Sequence, residues 1–263
     1  MARSHIRSPA LLLFCFGCAT RSQDVIFLPT AADITDRMLE VAAVTPDDLV
    51  FDLGCGDGRI VIRAAQRFGA SGVCVELDPG LIARSQAAAD TAGVRSRVRF
   101  VQGDMFETPL EGGTVVALYL SPALNQRLRP KLFRELGAGA RVVSHNFGMG
   151  DWDADTVVTV TSERGASSAV RLWIIPADVA GTWELELDRG GVQRRYRLRL
   201  EQRYQVVTGT ASRAGVTVEV TAVQLRGRRI GFTLQESRSE AIRLEGEIEA
   251  ATARGTGWQA WRR

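Results

Sequence analysis

The chain has 263 residues, of which 45% are hydrophobic and 24% are charged, a balance typical of a globular protein with a buried core. This length suits one large domain or two modest ones. The formal net charge is only +3, so bulk charge does not indicate a nucleic acid or another polyanion as a partner.

Residues 1–23 have the pattern of an export signal. A basic start precedes the short apolar run 10–16, which is well below the ~20 residues that a membrane-spanning helix needs. Cys18 follows a glycine in a degenerate form of a bacterial lipoprotein signal, so its lipidation is the one membrane attachment that we expect. We therefore predict export to the bacterial envelope, with a cytoplasmic protein that carries a frayed extension as the alternative.

Residues 24–177 alternate between short apolar runs and segments with helical periodicity. Predicted strands lie at 49–53, 72–76, 98–101, 114–120 and 141–145, and predicted helices at 60–68, 79–92 and 124–136. Continuously apolar strands separated by helices form parallel sheets that are covered on both faces. Two further strands, 156–160 and 169–175, read as a hairpin at one edge. We therefore predict an α/β fold with a Rossmann-like, seven-stranded sheet that is mostly parallel and ends in an antiparallel hairpin.

Residues 178–263 follow a different pattern with almost no helical periodicity. Apolar and polar residues alternate strictly at 183–187, 196–200 and 216–220, and glycines recur at the breaks between these runs. Such short, evenly spaced strands predict a small antiparallel β-barrel or sandwich. Arginines at alternate positions of 195–199 are typical of the solvated face of a sheet, and a basic binding patch is the alternative.

The four cysteines, Cys15, Cys18, Cys55 and Cys74, do not have the spacing of a zinc site or of a disulfide framework. No metal is predicted, because no His or Cys cluster is visible. Cys55 lies within a glycine-rich loop that needs a small residue, and we interpret it as a small buried filler.

That loop, 54–58, joins the first predicted strand to the following helix. Gly54, Gly56 and Gly58 let a ligand approach the backbone closely, and the helix N-terminus offers free N–H groups and a positive dipole. This combination suits an anionic group such as an amino-acid carboxylate. Asp52, which precedes the first glycine, suits an ammonium group on the same ligand.

The ends of the next two strands supply complementary groups. Glu76 follows the glycine loop by about twenty residues, where an acidic side chain accepts hydrogen bonds from ribose hydroxyls, and Asp78 is expected to assist. Asp104, after the third strand, suits an adenine amino group, with Met105 packing on the ring. Because neighbouring parallel strands present their carboxyl ends at one edge, this ordered set predicts a site for S-adenosylmethionine (SAM).

A dinucleotide site of an oxidoreductase is the competing interpretation. That fingerprint places its third glycine three positions after the second, whereas Gly58 follows Gly56 by two. Asp52 and Asp57 would also place negative charge beside a pyrophosphate. The spacing therefore favours SAM over NAD.

Four segments within 24–152 make the chain similar to class I SAM-dependent methyltransferases, and more closely to a bacterial group related to the ATP-synthase c-subunit lysine methyltransferases. They are FLPT at 27–30, DLGCGDGRIVI at 52–62, LYLSP at 118–122 and RVVSHNF at 141–147. The resemblance implies methyl transfer, with Pro29 and Thr30 at the border of the active site and 119–122 lining the acceptor pocket. It implies protein lysine as an acceptor, while the export-like start and the added β domain depart from the lysine enzymes and leave a small molecule open.

Methyl transfer is an in-line displacement in which the protein aligns the nucleophile and excludes water. Tyr119 and Ser121 are candidates to hydrogen-bond the acceptor, and Pro122 to present a carbonyl by bending the chain. His145, at the end of the fifth strand, is a candidate base. The structural alternatives are a packed strand residue for Tyr119 and a hydrogen-bonding group at a strand end for His145. For the whole chain, the alternative is a non-catalytic, envelope-anchored binding protein.

Overall fold

The computed structural model describes residues 29–161, 165 and 167–263. The predicted leader, 1–23, lies outside the described residues, and so does Cys18 with its predicted lipidation. None of the helices in the described part is both long and apolar enough to cross a bilayer.

The first part of the described chain forms a sheet with helices. Its elements are α1 (Ala32–Val41), β1 (Leu49–Leu53), α2 (Arg59–Phe68), β2 (Ser71–Glu76), α3 (Pro79–Thr91), a short 3-10 helix (Arg95–Arg97), β3 (Val98–Gln102), β4 (Val115–Leu118), α4 (Pro122–Glu135), β5 (Arg141–His145), β6 (Thr156–Thr161) and β7 (Ser167–Ile174). The seven strands lie in the order β3-β2-β1-β4-β5-β7-β6. β1 to β5 run parallel, whereas β7 pairs antiparallel with both β5 and β6. This sheet confirms the predicted α/β fold.

Both faces of the sheet are buried, which explains why its strands are continuously apolar. Val50 belongs to the hydrophobic cluster on one face, and the next residue, Phe51, belongs to the cluster on the other. Successive side chains of a strand point to opposite faces, so a strand buried on both sides has no polar alternation.

Capping residues set the starts of two helices. Asp78 Oδ1 accepts hydrogen bonds from the backbone N–H groups of Gly80 (2.7 Å) and Leu81 (3.2 Å), and Pro79 is the first residue of α3, as predicted. Ser121 caps α4 in the same way, so α4 begins at Pro122, two residues before the predicted start. The fourth strand ends at Leu118, earlier than predicted, because the chain turns into this cap.

The second part of the chain is a closed antiparallel barrel, which settles the choice between barrel and sandwich. Its strands are β8 (Gly181–Arg189), β9 (Val192–Arg203), β10 (Val206–Arg213), β11 (Val216–Arg226), β12 (Arg229–Gln235), β13 (Ala241–Glu249), β14 (Thr252–Gly255) and β15 (Trp258–Arg262). β15 pairs with β8 and closes the ring. The predicted domain boundary between residues 177 and 178 falls in the connection between β7 and β8.

Apolar side chains fill the barrel. Its interior cavity of about 20 Å³ is bordered by Trp183, Phe232 and Trp258, among others. Small-molecule sites usually enclose about 300 Å³ or more, so the barrel interior is a packed core. On the outside, Arg195 and Arg197 pair with Glu186 and Glu184 of the neighbouring strand at 2.9 and 3.0 Å, which favours the solvated-face interpretation of the arginine row.

Candidate active site

The candidate site lies where the strand order reverses. β2 and β3 lie on one side of β1, and β4 and β5 lie on the other. In open α/β sheets, this switch point leaves a crevice at the carboxyl ends of the strands, where ligands bind. The predicted cofactor residues follow β1, β2 and β3, and the predicted acceptor residues follow β4 and β5.

The glycine loop follows a path that requires glycine. Gly54, Gly56 and Gly58 have φ values of 76°, 56° and 76°, in the left-handed region that other residues rarely adopt. A Cβ atom at Gly58 would lie 2.9 Å from the Cβ of Ser85. The N–H groups of Gly54 and Cys55 both donate to the Val75 carbonyl, at 2.9 and 3.1 Å, so the loop folds back over the end of β2.

Cys55 and Cys74 form a disulfide, so the interpretation of Cys55 as a simple buried filler was wrong. β1 and β2 pair in a register that places Asp52 opposite Cys74, and the loop then turns back toward β2. These two effects bring the Cα atoms of the cysteines to 5.3 Å, within the range for a disulfide. The pair is 19 residues apart and matches no spacing motif, because the tertiary fold alone joins it.

Asp52 is a buried carboxyl group with one oxygen unsatisfied. Its residue is 3% exposed, and Oδ2 has no hydrogen-bond partner among the described residues. Burial, with added repulsion from Asp57 and Glu76, raises the pKa of Asp52 to about 8, although Arg59 opposes the shift. A cation placed against Oδ2 would satisfy the atom and favour the ionised form. The structure therefore fits the predicted ammonium partner.

Glu76 holds its carboxylate at the end of β2, facing the glycine loop. Oε2 accepts from the N–H of Gly56 at 3.0 Å, and Oε1 accepts from the N–H groups of Leu77 (2.8 Å) and Asp78 (3.0 Å). The side chain is thereby fixed beside the loop, where ribose binding is predicted. The Asp78 carboxylate, by contrast, caps α3, and its assistance to the cofactor stays a prediction.

Asp104 and Met105 lie just after β3, next to Glu76. The N–H of Gly103 donates to the Glu76 carbonyl at 3.0 Å, which ties the end of β3 to the end of β2. Asp104 Oδ1 accepts from the N–H of Phe106 at 2.9 Å, and Met105 is half-buried. The three carboxylates predicted to bind SAM thus follow three adjacent strands at one sheet edge.

Arg59 is a site residue that sequence reasoning missed. Its Nη1 donates to the Thr30 carbonyl at 2.6 Å, and its Nε donates to Asp57 at 2.9 Å. Although burial opposes it, the hydrogen bonds from Arg59 keep the pKa of Asp57 below its usual value. Arg59 therefore places Pro29 and Thr30 against the glycine loop. The Asp57–Arg59 pair was visible in the sequence, but nothing local pointed to Thr30.

Three rings stack at the carboxyl ends of β4 and β5. The Tyr119 ring lies 4.1 Å from the His145 ring and 6.2 Å from the Phe147 ring, measured between centroids. His145 is 6% exposed, and neither of its nitrogens has a hydrogen-bond partner among the described residues. Burial lowers the pKa of His145, so the imidazole is neutral at neutral pH.

Ser121 and Pro122 shape the turn that follows Tyr119. Ser121 Oγ accepts from the N–H of Leu124 at 3.4 Å, and Pro122 opens α4. Asn125, which sequence reasoning missed, is fully buried one turn later in α4. Its Nδ2 donates to Ser144 Oγ and to the Phe147 and Gly148 carbonyls, each at 3.3 Å, and thereby holds the chain that carries Phe147.

Within the described residues, no three His, Cys, Asp or Glu side chains come together in a way that could hold a metal ion.

Comparison with known proteins follows from this geometry. The family model of the ANTKMT methyltransferase domain matches residues 52–156. A protein-lysine N-methyltransferase of Saccharolobus islandicus (strain REY15A) is 40% identical over 152 residues, which cover 57% of this chain and 94% of that enzyme. The lysine N-methyltransferase of Homo sapiens that is named for the ATP-synthase c-subunit is 32% identical over 139 residues, and the match covers 53% of this chain and 59% of that enzyme.

Among solved structures, an RNA methyltransferase from Salinibacter ruber in complex with S-adenosyl-L-homocysteine is 48% identical, with a TM-score of 0.54. The match covers 58% of this chain and 96% of that one. A protein that is matched almost entirely by 58% of this chain has no room for a second domain of the barrel's size.

Proposed function

Because this chain belongs to the class I SAM-dependent methyltransferases, in the family that includes the protein-lysine N-methyltransferase of Saccharolobus islandicus, we propose that it methylates the ε-amino group of lysine in another protein. The observation that carries this proposal is the ring stack of Tyr119, His145 and Phe147, which includes two partnerless nitrogens. The rings suit the methylene groups of a lysine, and the nitrogens suit its amine. Family membership leaves the envelope-anchored, non-catalytic alternative without support.

The residues at the ends of β1, β2 and β3 fit the cofactor. Asp52 would accept a hydrogen bond from the methionyl ammonium, Glu76 from the ribose hydroxyls, and Asp104 from the adenine amino group, with Met105 against the ring. The N–H groups of Gly56 and Gly58 border the place proposed for the methionyl carboxylate. When bound, SAM supplies a methyl group that is activated by a positively charged sulfur.

We propose that His145 orients the acceptor nitrogen. An amine attacks through its lone pair, so it must be neutral and aimed at the methyl carbon. A neutral imidazole can accept a hydrogen bond from the amine N–H, and burial, which lowers the pKa of His145, keeps this acceptor available at neutral pH. Tyr119 holds the imidazole plane by stacking, while Ser121 and Pro122 set the turn beside it.

RNA is the competing acceptor, since the Salinibacter ruber protein is named an RNA methyltransferase. The charges at the site edge favour a lysine. Asp57, Glu76, Asp78, Asp104 and Glu107 follow the strands there, and carboxylates repel a phosphate backbone.

The test is to incubate the full-length protein and methyl-labelled SAM with protein and RNA fractions of a cell extract, with Asp52→Asn as the inactive control. We expect N-methyl-lysine in hydrolysed protein, and label in RNA alone would overturn the proposal. Self-methylation adds little background, because the chain has one lysine, Lys131, which is buried and paired with Glu135 at 2.7 Å.

We also propose that the protein is exported. Support comes from the pattern of residues 1–23 and from the Cys55–Cys74 disulfide, since disulfides persist mainly in oxidising compartments. Mapping the N-terminus of the mature protein tests the proposal, and a chain that still begins at Met1 would contradict it.

A further inference from the structure

Residues 146–153 connect β5 to β6, and we call them the acceptor loop because they carry Phe147. Helix α4 binds the first half of this loop. Asn125 Nδ2 holds the Phe147 and Gly148 carbonyls, and Arg129 Nη1 donates to the Met149 carbonyl at 2.8 Å. One face of α4 therefore fixes the part of the loop that is nearest to the ring stack.

The barrel binds the second half of the acceptor loop, through the turn between β9 and β10. The indole Nε1 of Trp152 donates to Gln205 Oε1 at 2.8 Å, and Gln205 Nε2 donates back to the Asp153 carbonyl at 2.8 Å. The Tyr204 hydroxyl donates to Asp151 at 3.2 Å, and Arg203 also pairs with Asp151. Three consecutive barrel residues thus hold three consecutive loop residues.

Aromatic burial strengthens this joint more than its ion pairs do. Trp152 is 1% exposed, and its ring packs against Phe133 at 4.6 Å and against Tyr204 at 5.9 Å. The Asp151 side chain is 49% exposed, so its pairs with Arg129 and Arg203 add little. Because a buried indole N–H needs a partner, Gln205 is the polar contact that matters most.

We propose that the barrel is an intramolecular clamp for the acceptor loop, with Gln205 and Tyr204 as positioning residues for the methyl acceptor. Phe147 stacks on Tyr119 at one end of the loop, and the barrel holds the other end. The residues proposed to bind SAM follow β1, β2 and β3, so the clamp acts on the acceptor side of the reaction. Its effect on lysine methylation rests on the proposed function, whereas its effect on loop order does not.

Four full-length variants test the clamp. Gln205→Met removes both hydrogen bonds at similar side-chain length, and Gln205→Glu keeps an acceptor for the Trp152 N–H. Tyr204→Phe removes the hydroxyl contact to Asp151 but keeps the ring. Thr208→Ala, at an exposed position of the next strand, is the matched control. The measurements are hydrogen–deuterium exchange of the acceptor loop, SAM affinity by calorimetry, and label transfer to extract protein at saturating SAM.

For Gln205→Met, we expect amide exchange in 149–153 to become about tenfold faster and label transfer to fall several-fold, with SAM affinity unchanged. Gln205→Glu and Tyr204→Phe should show smaller changes, and Thr208→Ala none. Unchanged exchange in the acceptor loop would overturn the clamp, and so would weaker SAM binding at normal label transfer. If exchange accelerates but the parent protein methylates no lysine, the proposed function fails and the clamp stands.

Discussion

The two parts of the molecule each bury a carboxyl group, but they treat it in opposite ways. In the barrel, the Glu236 side chain is 6% exposed and accepts from the Tyr196 hydroxyl at 2.8 Å and from Arg213 at 2.7 Å, with Arg194 as a further partner. In the sheet, Asp52 is 3% exposed and has an oxygen without a partner among the described residues. A satisfied buried charge holds a fold together, whereas an unsatisfied one in a crevice costs stability until a ligand pairs with it.

The same contrast extends to other buried polar atoms. Five of them lack a partner among the described residues, and four belong to Asp52, Asn125 and His145 at the candidate site. The fifth is Nε of Arg262, in the last strand of the barrel. Unpaired polar atoms in a native structure call for an explanation, and their clustering marks the sheet edge as the functional one.

Replacing Asp52 gives the largest expected effect. Asp52→Asn should weaken SAM binding about 100-fold, since hydrogen bonds to charged groups contribute about 1.5–3 kcal/mol. The ligand-free variant should also melt at a higher temperature than the parent protein near pH 8, because an amide does not ionise in the buried site. Calorimetry of binding and of unfolding measures both effects, and unchanged SAM affinity would remove Asp52 from the site.

Glu236 should respond in the opposite way. Glu236→Gln leaves two arginines without a charged partner, and breaking such a buried pair costs about 3 kcal/mol or more. We expect a lower melting temperature with unchanged SAM affinity. A variant that melts normally would show that the barrel network is dispensable and would break the comparison with Asp52.

The disulfide should make the sheet part sensitive to reduction while the barrel, which has no cysteine, stays insensitive. Cys55→Ser opens a loop of about 20 residues, whose closure is worth about 3 kcal/mol in chain-entropy models. We expect a lower melting temperature and weaker SAM binding, because the glycine loop loses its tether to β2. Thiol labelling without reductant checks the bond, and labelling of Cys55 in the native protein would contradict it.

SAM binding should depend on pH through Asp52. Burial raises the pKa of this group to about 8, so ligand-free Asp52 is protonated below that pH and must lose its proton to pair with an ammonium. SAM affinity should therefore fall by up to about tenfold per pH unit below pH 8.

The stability of the ligand-free protein carries the same signature. Because the folded pKa lies above the unfolded one, Asp52 reduces stability progressively as pH rises from about 4 to 8. Asp52→Asn should lose both dependences. Equal pH profiles of the variant and the parent protein would assign the titration to another group.

The smallest effect separates backbone strain from a steric clash. Gly58 and Gly93 both have positive φ, but only at Gly58 does an added Cβ meet a neighbour, Ser85, within 3 Å. Gly93→Ala should cost about 1 kcal/mol through the left-handed backbone alone and leave SAM binding unchanged. Gly58→Ala should cost more and weaken SAM binding, which equilibrium unfolding and calorimetry would detect. Equal losses would mean that Ser85 moves aside.

Local patterns predicted most of the sheet. The first strand matches its predicted bounds, Leu49–Leu53, because an apolar run buried on both faces ends at a glycine turn. The fourth strand was predicted two residues too long, since Tyr119 and Leu120 are apolar enough to extend it, while the Ser121 cap turns the chain away. In the barrel, alternation predicted antiparallel strands, but the pairing of β15 with β8 that closes the ring is a long-range contact.

The sequence by itself determined the glycine loop and the acidic residues at three strand ends, because left-handed backbone angles and strand boundaries are local properties. Only the tertiary structure decided the Cys55–Cys74 bond, the hold of Arg59 on Thr30 and the ring stack around Tyr119. It also placed the barrel turn against the acceptor loop. These contacts join residues that lie far apart along the chain, so they exist only once strand order and domain packing have brought their side chains together.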